Sequence, residues 1–199
     1  ISTKIYKYYM NHQFNFTFKK LTENLEKALD NNYHFISCQE YIDYKKAGKK
    51  NRIIVLRVDI DVSPQKAKKL TTLFNKLEIK ATFFVRLHAK EYNPFSFENY
   101  KIFKFIKESG HEIGYHSEII DESAIWNEPA EKCLIRDIEI LSKMLNVKIV
   151  GVASHGGLTG LNNLDFWKDK KASDFGLLYE AYDQTPNFNL FYESFYISI

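Results

Sequence analysis

Apolar residues along this chain recur in two patterns, which alternate from residue 53 onward. Phe18, Leu21, Leu25 and Leu29 repeat at three- and four-residue spacing, predicting an amphipathic helix that Asp30-Asn31-Asn32 stops. Tyr33–Ser37 reads as a short extended piece, and the Lys-rich stretch through Lys45–Arg52, with Gly48 inside it, as a solvated loop. Ile53–Val58 is a continuous apolar run broken at Arg57, the mark of a strand buried on both faces. Ser63-Pro64 supplies an N-cap and a first-turn proline for a helix carrying Ala67, Leu70, Phe74 and Leu77. Ala81–Leu87 is a second strand, and Tyr100, Phe103 and Ile106 mark a helix closed by Gly110. His111–Tyr115 is a third strand. Pro129 opens a helix facing inward through Leu134, Ile138, Leu141 and Leu145, and Val147–Ala153 is a fourth strand.

Strand–helix units of this length join parallel strands, so the pattern predicts an α/β sheet or barrel. Phe175–Tyr179 and Leu190–Ile197 are expected as further strands. The chain stops inside an apolar run, Phe195–Ile199, which predicts a domain truncated at its C-terminus.

Composition changes this picture little. Aromatics are 16% of the 199 residues, and their placement in apolar faces assigns most of them to the core although flat rings also stack on sugars. A net charge of +3, from 28 basic and 25 acidic residues mixed along the chain, argues against a nucleic-acid partner. Cys38 and Cys133 lie far apart in apolar surroundings and are expected as buried thiols. No apolar run approaches the ~20 residues of a membrane span, and a cytoplasmic location is expected.

Candidate chemistry collects where parallel α/β folds place it, beyond the C-terminal ends of the strands. The first strand ends in Asp59-Ile60-Asp61, the third leads into His116-Ser117-Glu118, and the fourth into Ser154-His155-Gly156-Gly157. Two neighbouring carboxylates repel unless a cation or proton lies between them. A metal bound by one leaves the other as a base, which is a hydrolytic arrangement. The plainer reading makes Asp61 a favourable charge at a helix N-terminus. Imidazole suits zinc and similar ions, so His116 is a candidate ligand, while His155 could hold metal or move a proton. His111, at the other end of its strand, reads as structural.

These residues resemble a known family. The carboxylate pair, followed by Gly110-His111-Glu112-Ile113-Gly114-Tyr115-His116-Ser117, is similar to the NodB-homology polysaccharide deacetylases of carbohydrate esterase family 4. Ala81-Thr82-Phe83-Phe84 resembles that family's second strand. Ser154-His155-Gly156, Asn163–Trp167 and Asp174–Tyr182 resemble a divergent branch associated with bacterial surface-polysaccharide clusters. The resemblance implies a distorted (β/α) barrel of about seven strands, a single domain over residues 1–199 with 1–50 as a helical extension packed on it. It implies removal of acetyl groups from N-acetylated sugars of a surface polysaccharide, with Asp59 as base and a divalent metal, zinc first, on Asp61 and His116.

Two departures stand out. Asp59 and Asp61 are separated by Ile60, where the family has adjacent aspartates. The family's second histidine, four residues after the first, falls at Ile120, which cannot bind metal. The third ligand is then expected from His155, with Glu118 as the alternative. The family's late histidine, a general acid, has no clear counterpart, and His155 cannot easily serve both as ligand and as acid. Two other readings stay open: a glycan-binding domain that kept the fold and lost the chemistry, and a haloacid-dehalogenase-like phosphatase using Asp59 and Asp61. The phosphatase reading wants a Ser or Thr at the end of the second strand, and Thr82 stands at the wrong end. No Gly-rich phosphate loop is present.

Overall fold

A computed structural model describes residues 17–48, 51–186 and 188–190. The chain divides into two units, residues 1–33 and 34–199. In the first, helix α1 (Phe18–Asp30) starts at Thr17, whose side chain accepts from the Lys20 amide, and buries Leu25 on its apolar face.

The second unit runs β1 (His34–Ile36), α2 (Cys38–Lys46), β2 (Ile53–Val55), β3 (Arg57–Ile60), α3 (Pro64–Lys76), β4 (Thr82–Val85), α4 (Phe97–Glu108), β5 (Glu112–Ser117), α5 (Ile119–Trp126), α6 (Ala130–Leu145), β6 (Gly151–Ser154) and β7 (Tyr179–Glu180). Between β6 and β7 lie two 3-10 turns, Asn163–Trp167 and Ala172–Phe175. Strands β3-β4-β5-β6-β7 form one parallel sheet in sequence order, and β1 pairs parallel with β2.

The predicted Ile53–Val58 strand is divided at Leu56. Its amide donates to the Ile36 carbonyl on one side and its carbonyl accepts from Thr82 on the other, so one extended segment serves two sheets. Among the described residues no pairing joins β7 to β1, so the architecture is an α/β parallel sheet; a closed barrel is not shown.

Strand alternation gives the sheet two faces. Val58, Ile60, Phe83, Val85, Ile113, Tyr115 and Val152 are buried on one, where α3, α4 and α6 pack. The other carries Phe84, Ala153, Tyr179 and Ala181, which form a core with Cys38 and Ile42 of α2 and with Phe188. Gly114 and Gly151 are required here. A Cβ on Gly114 would stand 2.4 Å from the Phe84 ring, and one on Gly151 1.9 Å from Tyr179. At the N-terminal end of this face Glu112 accepts from Thr82 Oγ1, the Gln39 amide and the Tyr179 hydroxyl, tying β4, α2 and β7 to β5.

Several sequence expectations need correcting. Helix α2, capped by Ser37 and Glu40 in a reciprocal capping box, was not expected, because its apolar residues are few and irregularly spaced. The third strand runs past Tyr115 to Ser117, and the fourth begins at Gly151 rather than Val147. Helix α5, immediately after β5, was missed because it carries almost no apolar period. Phe175–Tyr179 is not a strand: a 3-10 turn ends at Phe175, Gly176 adopts φ +71° and pairing begins only at Tyr179. The Leu190–Ile197 strand and the Phe195–Ile199 run lie outside the described residues apart from Leu190, which is irregular. Cys38 and Cys133 are buried free thiols.

Candidate functional site

The site grows from the period of two on adjacent strands. Asp59 sits opposite Phe84, and Phe84 opposite Gly114, so all three share a face. His116 is two residues beyond Gly114 and lies opposite Ala153, and His155 is two residues beyond that. The same arithmetic accounts for Asp59-Ile60-Asp61. Ile60 is fully buried toward the helices, while the carboxylates on either side return to the opposite face. Adjacent aspartates in a regular strand would point to opposite faces.

The result is a compact group of donors. His116 Nε2 is 3.1 Å from Asp61 Oδ1 and 3.8 Å from Asp59 Oδ2. His155 Nε2 is 3.7 Å from the same Asp61 oxygen, and the two imidazoles meet edge to face at 5.1 Å. His116 Nδ1 donates to the Ala153 carbonyl across 2.8 Å, which leaves Nε2 as the ring nitrogen that faces Asp61. Burial, followed by the charges of Arg86 and His116, lowers the pKa of His155, which favours the neutral ring.

Asp61, His116 and His155 offer ligand atoms that all lie within 4.8 Å of one another. In a tetrahedral site with bonds of about 2.0–2.1 Å, donor atoms stand about 3.3 Å apart. The separations of 3.1 and 3.7 Å bracket that value, and one carboxylate with two imidazoles suits zinc or a similar divalent ion. The residues fit a metal. Ile120 contributes nothing to this group; it lies on α5, where its amide donates to Asn163 Oδ1.

Three features of the site were not read from the sequence. Arg57, taken there as a polar break in a strand, grips Asp59 with Nε on Oδ1 at 3.0 Å and Nη2 on Oδ2. The same guanidinium donates to the Tyr182 hydroxyl at 2.9 Å and lies over that ring. The available signal was spacing: a residue two before Asp59 on a strand must share its face.

The pairing of Glu118, expected from the sequence only as an alternative ligand, is the second. Both Glu118 oxygens accept from Arg86, at 2.7 and 3.2 Å, and Oε1 stands 3.4 Å from His155 Nδ1. The geometry thus aligns Glu118 with the back of the His155 ring rather than with Asp61 and His116.

The third is the brace under the His155 loop. Burial would raise the pKa of Asp121, but bonds from Thr159, Leu158 and Asn163 hold it below the usual range. Asn163 donates in turn to the His155 carbonyl and accepts from the Ile120 and Asp121 amides at the start of α5.

A cavity of about 950 Å³ is lined by Trp167, Lys170, Leu178, Glu180, Tyr182 and Asp183 among others, and the Tyr182 hydroxyl on its wall accepts from Arg57. Burial pushes the Glu180 carboxyl up to about 7. Elsewhere, His88 faces Glu122 and Asp137 on the helix side, a second trio of possible ligands. Their carboxylates are already occupied by Tyr115, Arg136 and His88, so this trio reads as a charge network. His111 packs against Phe74 and Phe83, with burial lowering its pKa to about 4.

Comparison with known proteins adds independent information. The family model for polysaccharide deacetylase matches residues 46–188. Among solved structures, the chain is similar to the Streptococcus pyogenes deacetylase PplD in complex with acetate. There the TM-score is 0.51 at 19% identity, covering 66% of this chain and 59% of that one. It is also similar to the deacetylase domain of BpsB from Bordetella bronchiseptica. That match has a TM-score of 0.56 at 16% identity, covering 85% of this chain and 79% of that one. At such identities the likeness is one of fold, and the chain spans less than two thirds of the length of PplD. No curated protein sequence matches it. Among the described residues, no helix is long and apolar enough to cross a membrane.

Proposed function

The chain belongs to the polysaccharide deacetylase family, and from that premise we propose that it is a metal-dependent hydrolase of N-acetylated sugars in a bacterial surface polysaccharide. The reading rests on one observation above the rest: Asp61, His116 and His155 converge, with Asp59 beside them. His155, from the end of β6, replaces the histidine that the family carries where this chain has Ile120.

A divalent ion held by Asp61, His116 and His155 would supply Lewis acidity for the acyl carbonyl and acidify the attacking water. Asp59 accepts the proton of that water and delivers it to the departing nitrogen as the C–N bond breaks, leaving acetate and a free amine. Arg57 fixes the orientation of the Asp59 carboxylate, so no rotamer search precedes proton transfer. The cavity walled by Trp167 and Tyr182 offers rings on which a sugar face can stack. With His155 turned to the ion, it is not available as general acid, so one residue does not fill both roles.

A second reading, a glycan-binding domain without catalysis, is favoured by Ile120 alone. Acetate release separates the two. The full chain, stripped by a chelator and reloaded with zinc or cobalt, is incubated with an N-acetylglucosamine oligosaccharide. Acetate that appears only after reloading supports the hydrolase. Bound oligosaccharide with no acetate from the loaded protein supports the binding domain.

A further inference from the structure

Glu118 and Arg86 form a buried ion pair at the site, with side chains only 2% and 4% exposed. Burying two charges is costly, and an apolar pair of the same volume is often as stable or more so. A pair kept in this position therefore invites the question of what it orients. Three contacts answer it. Arg86 holds Glu118 through two donors, one to each oxygen. The Arg86 Nη1 group donates to the backbone carbonyl of Asp61 at 3.2 Å. Glu118 Oε1 lies 3.4 Å from His155 Nδ1, a buried ring nitrogen that has no hydrogen-bond partner of its own.

We propose that Glu118, clamped by Arg86, is a positioning residue that holds the proton of His155 on Nδ1 and so presents Nε2 to the ion. The inference rests on the metal-dependent reading above and deepens it. His116 gets the same service from the Ala153 carbonyl. His155 follows β6 and has no strand carbonyl at its back, so a side-chain carboxylate takes that place. A small turn of the ring aligns Nδ1–H on Oε1, and a carboxylate behind an imidazole both fixes its tautomer and makes it a stronger ligand. Arg86 couples the two elements. By holding Glu118 and the Asp61 carbonyl together, it sets the spacing between the loop after β3 and the His155 ring. Glu118 has both oxygens engaged in this work, and it acts through His155 rather than on the ion.

The test uses the full chain and its Glu118→Gln and Arg86→Lys variants, with zinc affinity measured by chelator competition. The visible spectrum of the cobalt-loaded protein and the histidine 15N signals of the metal-free protein are recorded alongside. Each variant removes part of the two-pronged clamp, and Glu118→Gln also removes the anionic acceptor. Zinc affinity is expected to fall by about 10- to 100-fold in both. The cobalt spectrum is expected to shift, and the His155 Nδ1–H form to lose its dominance in Glu118→Gln. Zinc affinity within twofold of the parent, with an unchanged cobalt spectrum and unchanged His155 15N signals, overturns the proposal. If Glu118→Gln fails to fold, Arg86→Lys carries the same decision. If the parent chain binds no zinc or cobalt, the metal reading itself fails. The His155 15N signals then still decide whether Glu118 governs the ring.

Discussion

His116 donates Nδ1–H to the Ala153 carbonyl across 2.8 Å, and this bond decides which ring nitrogen faces Asp61. The two residues are register partners on neighbouring strands, so sheet pairing itself sets the tautomer. Replacing His116 by alanine removes one of the three proposed ligands and leaves the rest of the sheet intact. Zinc affinity is expected to drop by at least about 100-fold, the upper range for lesser changes behind a ligand. Isothermal titration checks it.

On the proposed reading, Arg57 acts on the base rather than on the metal. Arg57→Met keeps much of the stem that packs near Phe84 and Tyr182 but frees the Asp59 carboxylate. The expected result is a roughly 100-fold lower kcat, the scale of loss when a reacting group is misplaced by about an ångström. Zinc stoichiometry should be unchanged. Steady-state kinetics beside metal analysis separates the two effects.

Asn163 joins the His155 loop to the start of α5 through bonds to the Ile120 and Asp121 amides, the Asp121 carboxylate and the His155 carbonyl. It is fully buried, so Asn163→Ala leaves buried partners unsatisfied. A loss of about 1–3 kcal/mol is expected in urea denaturation. Weaker zinc binding should accompany it, because the loop that presents His155 loses its brace.

His88 provides a pH test away from the site. Burial alone would lower its pKa, but Asp137 and Glu122 outweigh that and raise it to about 10. The folded value lies above the unfolded one of about 6.5. Its stabilising contribution is therefore complete below about pH 6.5 and is lost as the pH rises through about 10. Urea midpoints of the parent and His88→Gln should differ most near pH 6 and converge toward pH 10.5. A difference that grows with pH would contradict the assignment.

Gly114 tests the packing beneath the site. An added methyl meets the Phe84 ring at 2.4 Å, so Gly114→Ala is expected to cost about 1–3 kcal/mol through overpacking. Since His116 lies two residues on along the same strand, metal affinity should fall as well. Denaturation and zinc titration on the same variant measure both.

Much of this was legible in the residues. Apolar runs and capping signals located α3, α4, α6 and the centres of β3, β4 and β5, because these elements bury faces with a regular period. The rim rule then brought Asp59, Asp61, His116 and His155 to one end of the sheet. What escaped was whatever tertiary contact decides. Helix α5 is held by Asn163, some 40 residues away, rather than by its own pattern. Glu118 could be named as a carboxylate at the rim, but its partner Arg86 comes from beyond β4, and only the folded chain shows that the pair stands behind His155. Arg57 was visible as an interruption; its grip on Asp59 follows from strand alternation once the two are placed on one face.

The central claim is that His155 completes, with Asp61 and His116, the metal site that Ile120 leaves short of a ligand. The most direct measurement is the anomalous signal at the zinc absorption edge in a crystal of the zinc-loaded chain. The account predicts one strong peak between Asp61 Oδ1 and the Nε2 atoms of His116 and His155. No peak there, or a peak with His155 turned away from it, would contradict the account.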